Sequence, residues 1–159
     1  MNFPSNYKRS FTPKLAYDFA SLIEKQAAPV YEKLGLTIPV ITSSTLYVIA
    51  EYERASLLEV SSALGVVHQL ASLRIKTLLK LGIISTEKDM SDKRRTYYSL
   101  TAKGRAQNML LNEYLIKAEH AFLELNRELD IDVMKLLEQV NQSFAKQSLY
   151  QRIFDEAKK

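Results

Sequence analysis

The stretch Ser56–Gly104, SLLEVSSALGVVHQLASLRIKTLLKLGIISTEKDMSDKRRTYYSLTAKG, decides the fold of this 159-residue chain. It opens with Ser56-Leu57-Leu58-Glu59, the spacing of a capping box, in which the serine hydroxyl and the glutamate side chain each satisfy an unpaired backbone donor. A short helix is therefore predicted from Leu57, stopping at Gly65, a residue able to take the left-handed conformation that ends helices. A few residues on, Ala71, Ile75 and Leu78 recur at helical spacing, up to Gly82. Two short helices joined by a tight, glycine-containing turn make a helix-turn-helix. Ile83–Lys88 and Thr96–Leu100 are β-prone runs of strand length around the polar segment Asp89–Arg95, which predicts a hairpin with a basic tip. A helix-turn-helix followed at once by a basic hairpin is a winged helix-turn-helix with a two-stranded β wing.

Upstream, Thr12-Pro13 reads as an N-cap and first-turn pair, and Leu15, Phe19, Leu22, Ile23, Val30 and Leu34 follow at helical spacing. This predicts a long first helix, kinked or broken at Pro29. A second helix is predicted within Val40–Tyr52. Downstream, Thr101 is expected to cap a long helix carrying Leu110, Leu111, Tyr114, Leu115, Ala118 and Phe122. Asp130 is expected to cap the last helix, with Val133, Leu137, Val140 and Phe144 as its stripe. The predicted class is mainly α: one domain over residues 1–159, with the winged helix-turn-helix lobe at 40–104 and long N- and C-terminal helices at 12–34 and 105–157. These helices carry more apolar positions than so small a lobe can cover. A twofold partner would supply the missing cover, so they are read as dimerisation helices of a homodimer.

With 47% hydrophobic and 25% charged residues, the chain falls in the ordinary globular range rather than a disordered or membrane class. It has no cysteine, which excludes disulfides, thiolate redox sensing and cysteine-ligated zinc. His68 and His120 are the only imidazoles, too few for a metal site of this kind. The segment Met1–Phe11 has no apolar core of the secretory type, and Leu46–Ala50, the longest apolar run, is far too short to span a bilayer. A cytoplasmic location without membrane attachment is expected. There is no glycine-rich phosphate loop, nucleophile elbow or metal triad, so neither an enzyme nor a cofactor is expected.

The net charge of +4 is modest, but its distribution is not. Residues 66–105 hold nine bases against three acids, a local +6 that exceeds the whole net charge. A concentrated basic field is what a polyanion selects, and double-stranded DNA is the partner this shape fits. Side chains near the start of a recognition helix reach base edges in the major groove. Here they are His68, Gln69, Ser72 and, one turn on, Lys76. Lys93, Arg94 and Arg95 at the hairpin tip suit the narrow, strongly negative minor groove. Asp92, an acid that phosphates would repel, is read as a brace of the wing.

These residues also resemble a known family. Residues 34–105 are similar to the MarR family of multiple-antibiotic-resistance-type regulators. Asp92-Lys93-Arg94-Arg95, continuing through Leu100-Thr101-Ala102-Lys103-Gly104-Arg105, looks like that family's wing signature of Asp-x-Arg followed by Leu-Thr-x-x-Gly. Ser56-x-x-Glu59, Leu64-Gly65 and Leu81-Gly82-Ile83-Ile84 fall where its pattern puts them. The resemblance implies an obligate dimer joined by its first and last helices, usually a transcription repressor, with the arginine at the Arg94 position entering the minor groove. It also implies release from DNA by a small aromatic or phenolic ligand, for which Tyr17, Tyr47 and Tyr114 are the candidate pocket residues. The sequence departs from the family at Val67, where a serine or threonine cap is usual, and at Leu70 and Leu73 on the outward face of the recognition helix. Those leucines leave a second class open: a winged-helix adaptor that docks a protein and binds DNA weakly or not at all.

Overall fold

The computed structural model describes residues 9–90, 92 and 95–155. Lys93 and Arg94, two of the three expected wing-tip bases, lie outside the described residues, as do the last two positions of the expected 105–157 helical region. The elements run α1 (Thr12–Leu34), a 3-10 turn (Val40–Thr42), α2 (Ser43–Glu51), β1 (Ala55–Ser56), α3 (Leu57–Leu64), α4 (His68–Lys80), β2 (Ile84–Lys88), β3 (Thr96–Leu100), α5 (Ala102–Leu129), α6 (Val133–Lys146) and α7 (Leu149–Phe154). The chain divides into two compact units, one up to Tyr114 and one from Leu115.

In the first unit the helix-turn-helix forms as its local signals dictate. The Ser56 hydroxyl accepts from the Glu59 amide, and the Glu59 carboxylate accepts from the Ser56 amide at 2.7 Å, closing the capping box. Gly65, in the left-handed conformation at φ 61°, ends α3, and the Val66 amide reaches back to the Ser61 carbonyl at 3.1 Å. Helix α4 buries Ala71, Ile75 and Leu78 on one face, against a core that also takes Leu46 and Ile49 from α2, Val60 from α3, Ile83, and Ile84 at the start of β2. Full burial of a leucine or isoleucine side chain is worth about 1.5–3 kcal/mol, so this shared face holds the lobe together.

The sheet is larger than the predicted hairpin. β2 and β3 pair antiparallel, with Ile84 opposite Leu100 and Lys88 opposite Thr96. The two-residue β1 adds itself to the other edge of β3, Ala55 opposite Tyr98 and Ser56 opposite Tyr97, for a strand order β1-β3-β2. The wing is thus anchored directly to the residues that start α3.

The start of α5 is built on a close approach. The Thr101 hydroxyl accepts from the Gly104 amide at 3.0 Å and contacts the Gly82 and Ile83 carbonyls, while the Thr101 amide donates to the Ile83 carbonyl. Gly104 itself lies so close that a Cβ there would sit 1.9 Å from the Ile83 carbonyl oxygen. One turn on, buried Gln107 ties α5 to the segment after α1. Its Oε1 accepts from the Thr37 amide at 2.7 Å and its Nε2 donates to the Gly35 carbonyl at 3.2 Å.

Several expectations are corrected. Thr12 is the first residue of α1 rather than its cap: Phe11 holds the cap position, and the Thr12 hydroxyl donates to the Arg9 carbonyl. Of the kink or break expected at Pro29, the break does not occur: α1 runs on past it, with Ala27 and Tyr31 buried on either side. The expected second helix begins as a 3-10 turn, since the Thr42 amide and hydroxyl both bond to the Pro39 carbonyl, and becomes α-helical only at Ser43. In the second unit Asp130 is not a cap. It adopts φ 52° at the end of α5, where the Ile131 amide closes on the Asn126 carbonyl, and Asp132 caps α6 by accepting from the Lys135 amide. The last helix is two: α6 ends before Ser148, which forms a capping box with Gln151 and starts α7. Arg152 of α7 turns back to donate to the Ser143 carbonyl and hydroxyl at the end of α6.

Candidate nucleic-acid interface

Helix α4 carries both faces of the site. Val67 occupies its N-cap in an extended conformation and supplies no side-chain cap. That leaves the start of the helix, with its partial positive charge, to be met by solvent or an anion. His68 and Gln69 are exposed in the first turn, Ser72 is half-buried and Lys76 is exposed. Leu73 is also exposed, whereas Leu70, expected to face outward beside it, is half-buried. The reason is angular: Leu70 falls toward the flank of the buried Ala71-Ile75-Leu78 face, and Leu73 opposite to it.

The turn between β2 and β3 is held by its own backbone and acids. The Asp89 amide donates to the Arg95 carbonyl at 3.1 Å, the Arg95 amide to the Asp92 carbonyl at 2.9 Å, and the Asp92 amide to the Asp89 carboxylate at 3.0 Å. The Asp92 carboxylate lies 3.8 Å from Arg95 Nε, yet the Arg95 side chain stays 68% exposed. A pair so long and so wet contributes little and leaves the arginine able to exchange its partner. Below the tip, the Lys88 ammonium donates to the Thr96 hydroxyl across the hairpin at 2.9 Å.

Sequence reasoning missed Arg54. Its guanidinium stands 3.9 Å over the Tyr97 ring on β3, and its Nε lies 3.8 Å from the Glu87 carboxylate on β2. One side chain just before α3 therefore touches both strands of the wing. Nothing local marks it, because its partners are 33 and 43 residues away in sequence. Arg95 and Arg54 also lie near Glu59. The Glu59 carboxyl is held below its ordinary value chiefly by the Ser56 hydroxyl and amide, with the two arginines adding a smaller pull in the same direction. Among the described residues of the basic segment, Lys103 donates to the Leu81 carbonyl and Arg105 to that of Leu100.

The three tyrosines named for a ligand sit differently from one another. Tyr17 on α1 and Tyr47 on α2 are exposed, while Tyr114 on α5 is half-buried. The ring that Tyr114 meets is that of Tyr31, edge-on at 4.7 Å between centroids. The Tyr31 and Ser43 hydroxyls are hydrogen-bonded, and burial raises the Tyr31 and Tyr114 phenols above their ordinary value. Among the described residues no group of three or more histidine or acidic side chains is placed to hold a metal ion. No described helix is long and apolar enough to cross a membrane.

Residues 43–104 match the family model of a winged helix DNA-binding domain. No curated protein matches the chain. Solved structures match it over most of its length. The transcriptional regulator BldR from Sulfolobus solfataricus is 18% identical, with 91% of this chain and 99% of that one covered and a TM-score of 0.61. BpsR of Bordetella bronchiseptica, whose DNA binding is regulated by 6-hydroxynicotinic acid, is 18% identical over 89% of this chain and 98% of its own, with a TM-score of 0.67. The multiple antibiotic resistance repressor MarR is 17% identical over 90% and 96%, with a TM-score of 0.57. At these identities the likeness is one of fold, and the fold is the one the MarR resemblance implied: a winged helix between long N- and C-terminal helices.

Proposed function

We propose that this protein is a transcription regulator that binds a pseudo-palindromic DNA operator as a homodimer and represses by occupying it. The observation that carries this reading is the division of α4. Ala71, Ile75 and Leu78 lock one face into the core, while His68, Gln69 and Lys76 stand exposed, and the hairpin that follows α4 in the chain has the tip sequence Lys93-Arg94-Arg95. A helix so held can enter the major groove with its first turn against the base edges. The hairpin tip then meets the adjacent minor groove, where Arg94 is the residue proposed to insert, with Lys93 and Arg95 neutralising phosphates and Asp92 bracing the turn. Glutamine bridges the adenine edge, and Ser72 serves base or phosphate. In a twofold dimer two such helices address half-sites roughly 10 bp apart. The likeness to BpsR extends the proposal to a small aromatic effector that lowers DNA affinity, with Tyr17, Tyr47 and Tyr114 as candidate contacts.

The test is a gel shift on genomic fragments titrated with salt. Neutralised phosphates release counterions, so affinity should fall steeply as salt rises. Arg94→Ala should weaken binding by about 1–3 kcal/mol and reduce the salt slope by roughly one. Weak binding that ignores salt would instead favour a protein-docking adaptor, and an unchanged shift would remove Arg94 from the contacts.

A further inference from the structure

On α4, Gln69, Leu73, Lys76 and Lys80 follow one another at helical spacing along the face opposite Ala71, Ile75 and Leu78. In the middle of this otherwise polar, outward-facing stripe stands a leucine that is 62% exposed. An isolated apolar side chain between a glutamine and a lysine is a poor protein-docking patch, which needs contiguous apolar surface. Its neighbours on the helix do not extend it: Leu70 is half-buried, and Thr77 donates its hydroxyl to the Leu73 carbonyl at 3.1 Å.

We propose that Leu73 reads the 5-methyl group of a thymine in the operator's major groove, making it a specificity-determining residue. The inference rests on the DNA reading above and deepens it. In the major groove thymine alone offers an apolar group, and every other edge presents a donor or acceptor. A leucine laid on such an edge would strip its water and return no hydrogen bond, so it selects for thymine both by contact and by exclusion. Gln69, one helical turn earlier, is suited to adenine. The two Cα atoms are about 6 Å apart along the helix, so the thymine should lie within about two base pairs of that adenine if α4 follows the groove.

The experiment selects duplexes from a library with a randomised core of roughly 20 bp, about two helical turns. Each thymine of the selected half-site is then replaced in turn by deoxyuridine, which removes only the methyl. Wild-type protein should lose about fourfold in affinity at one thymine, the worth of one buried methyl group. Leu73→Ala should bind the thymine and uracil duplexes alike, the two losses failing to add because they remove the same contact. Leucine and alanine are both good helix formers and the site is exposed, so the variant should keep its fold. Indifference of the wild type to uracil at every thymine, or a Leu73→Ala protein that keeps the uracil penalty, would overturn the assignment while DNA binding stands. Failure to enrich any duplex would overturn the DNA reading itself.

Discussion

Gly104 shows how packing alone can require a particular residue at a position within a motif. It sits in the Leu100-Thr101-x-x-Gly104 run that supports the MarR resemblance, yet its role in the structure is steric. A methyl group at this position would overlap the Ile83 backbone carbonyl, which already accepts from the Thr101 amide. The offending atom is backbone and has little room to yield. Gly104→Ala should therefore cost about 3 kcal/mol, a fall of roughly 6–12 °C in melting midpoint. An unchanged thermal transition would contradict this close approach. The residue type was visible in the sequence, but its reason was not, because Ile83 reaches it only through the fold. Gln107 was invisible altogether: a glutamine in a polar stretch gives no sign that it will be buried under Gly35 and Thr37. That Gln69 and Lys76 are exposed was legible because helical periodicity alone puts them away from Ala71, Ile75 and Leu78, whereas His68 falls at the spacing of that buried face and is exposed as the first residue of α4.

At the level of elements, the caps are where local sequence speaks most directly. The Ser56–Glu59 box was readable as a four-residue pattern, and it sets a pH dependence. Glu59 has a folded-state pKa below the ordinary carboxylate value of 4.5, chiefly through the Ser56 hydroxyl, so its charged form favours the fold. That contribution is present above about pH 4.5 and is lost as pH falls through the lower folded value. Chemical denaturation followed from neutral to acid pH should show wild type losing an increment that Glu59→Gln lacks. Ser56→Ala should cost about 1 kcal/mol at neutral pH and flatten the same acid limb. Parallel pH profiles in all three proteins would show that the box does not stabilise α3. The same kind of pattern, Ser148 to Gln151, marks the start of α7 and was overlooked behind an unbroken expected helix. Asp130 and Asp132 were not separable by pattern, since both are good caps. The choice between them follows from the left-handed turn that closes α5 at Asp130. β1, at two residues, is too short to carry any periodicity and exists because β3 offers it an edge.

For the whole molecule, the proposed homodimer has a physical motive in the apolar side chains a single chain leaves exposed. On α6, Met134, Leu137, Val140 and Phe144 are all exposed, and no residue of that helix is buried. Such a surface invites association, and folding linked to association becomes dependent on concentration. Sedimentation should show a dimer at micromolar concentration, with a melting midpoint that rises as protein is added. A monomer with a concentration-independent midpoint would remove the dimer from the proposal. Across these scales, the elements of the helix-turn-helix and hairpin, and the outward face of α4, follow from residues within a turn or a short run of one another. Hydrogen-bonded caps, left-handed turns and apolar periodicity act over that range, so the chain's order alone is enough to read them. The third strand, the Arg54 bridge across the wing, the Gly104 contact and the Gln107 clasp join positions that lie from 21 to 72 residues apart. Such pairs acquire their energies only after folding brings them together and excludes water between them, so only the folded arrangement could assign them.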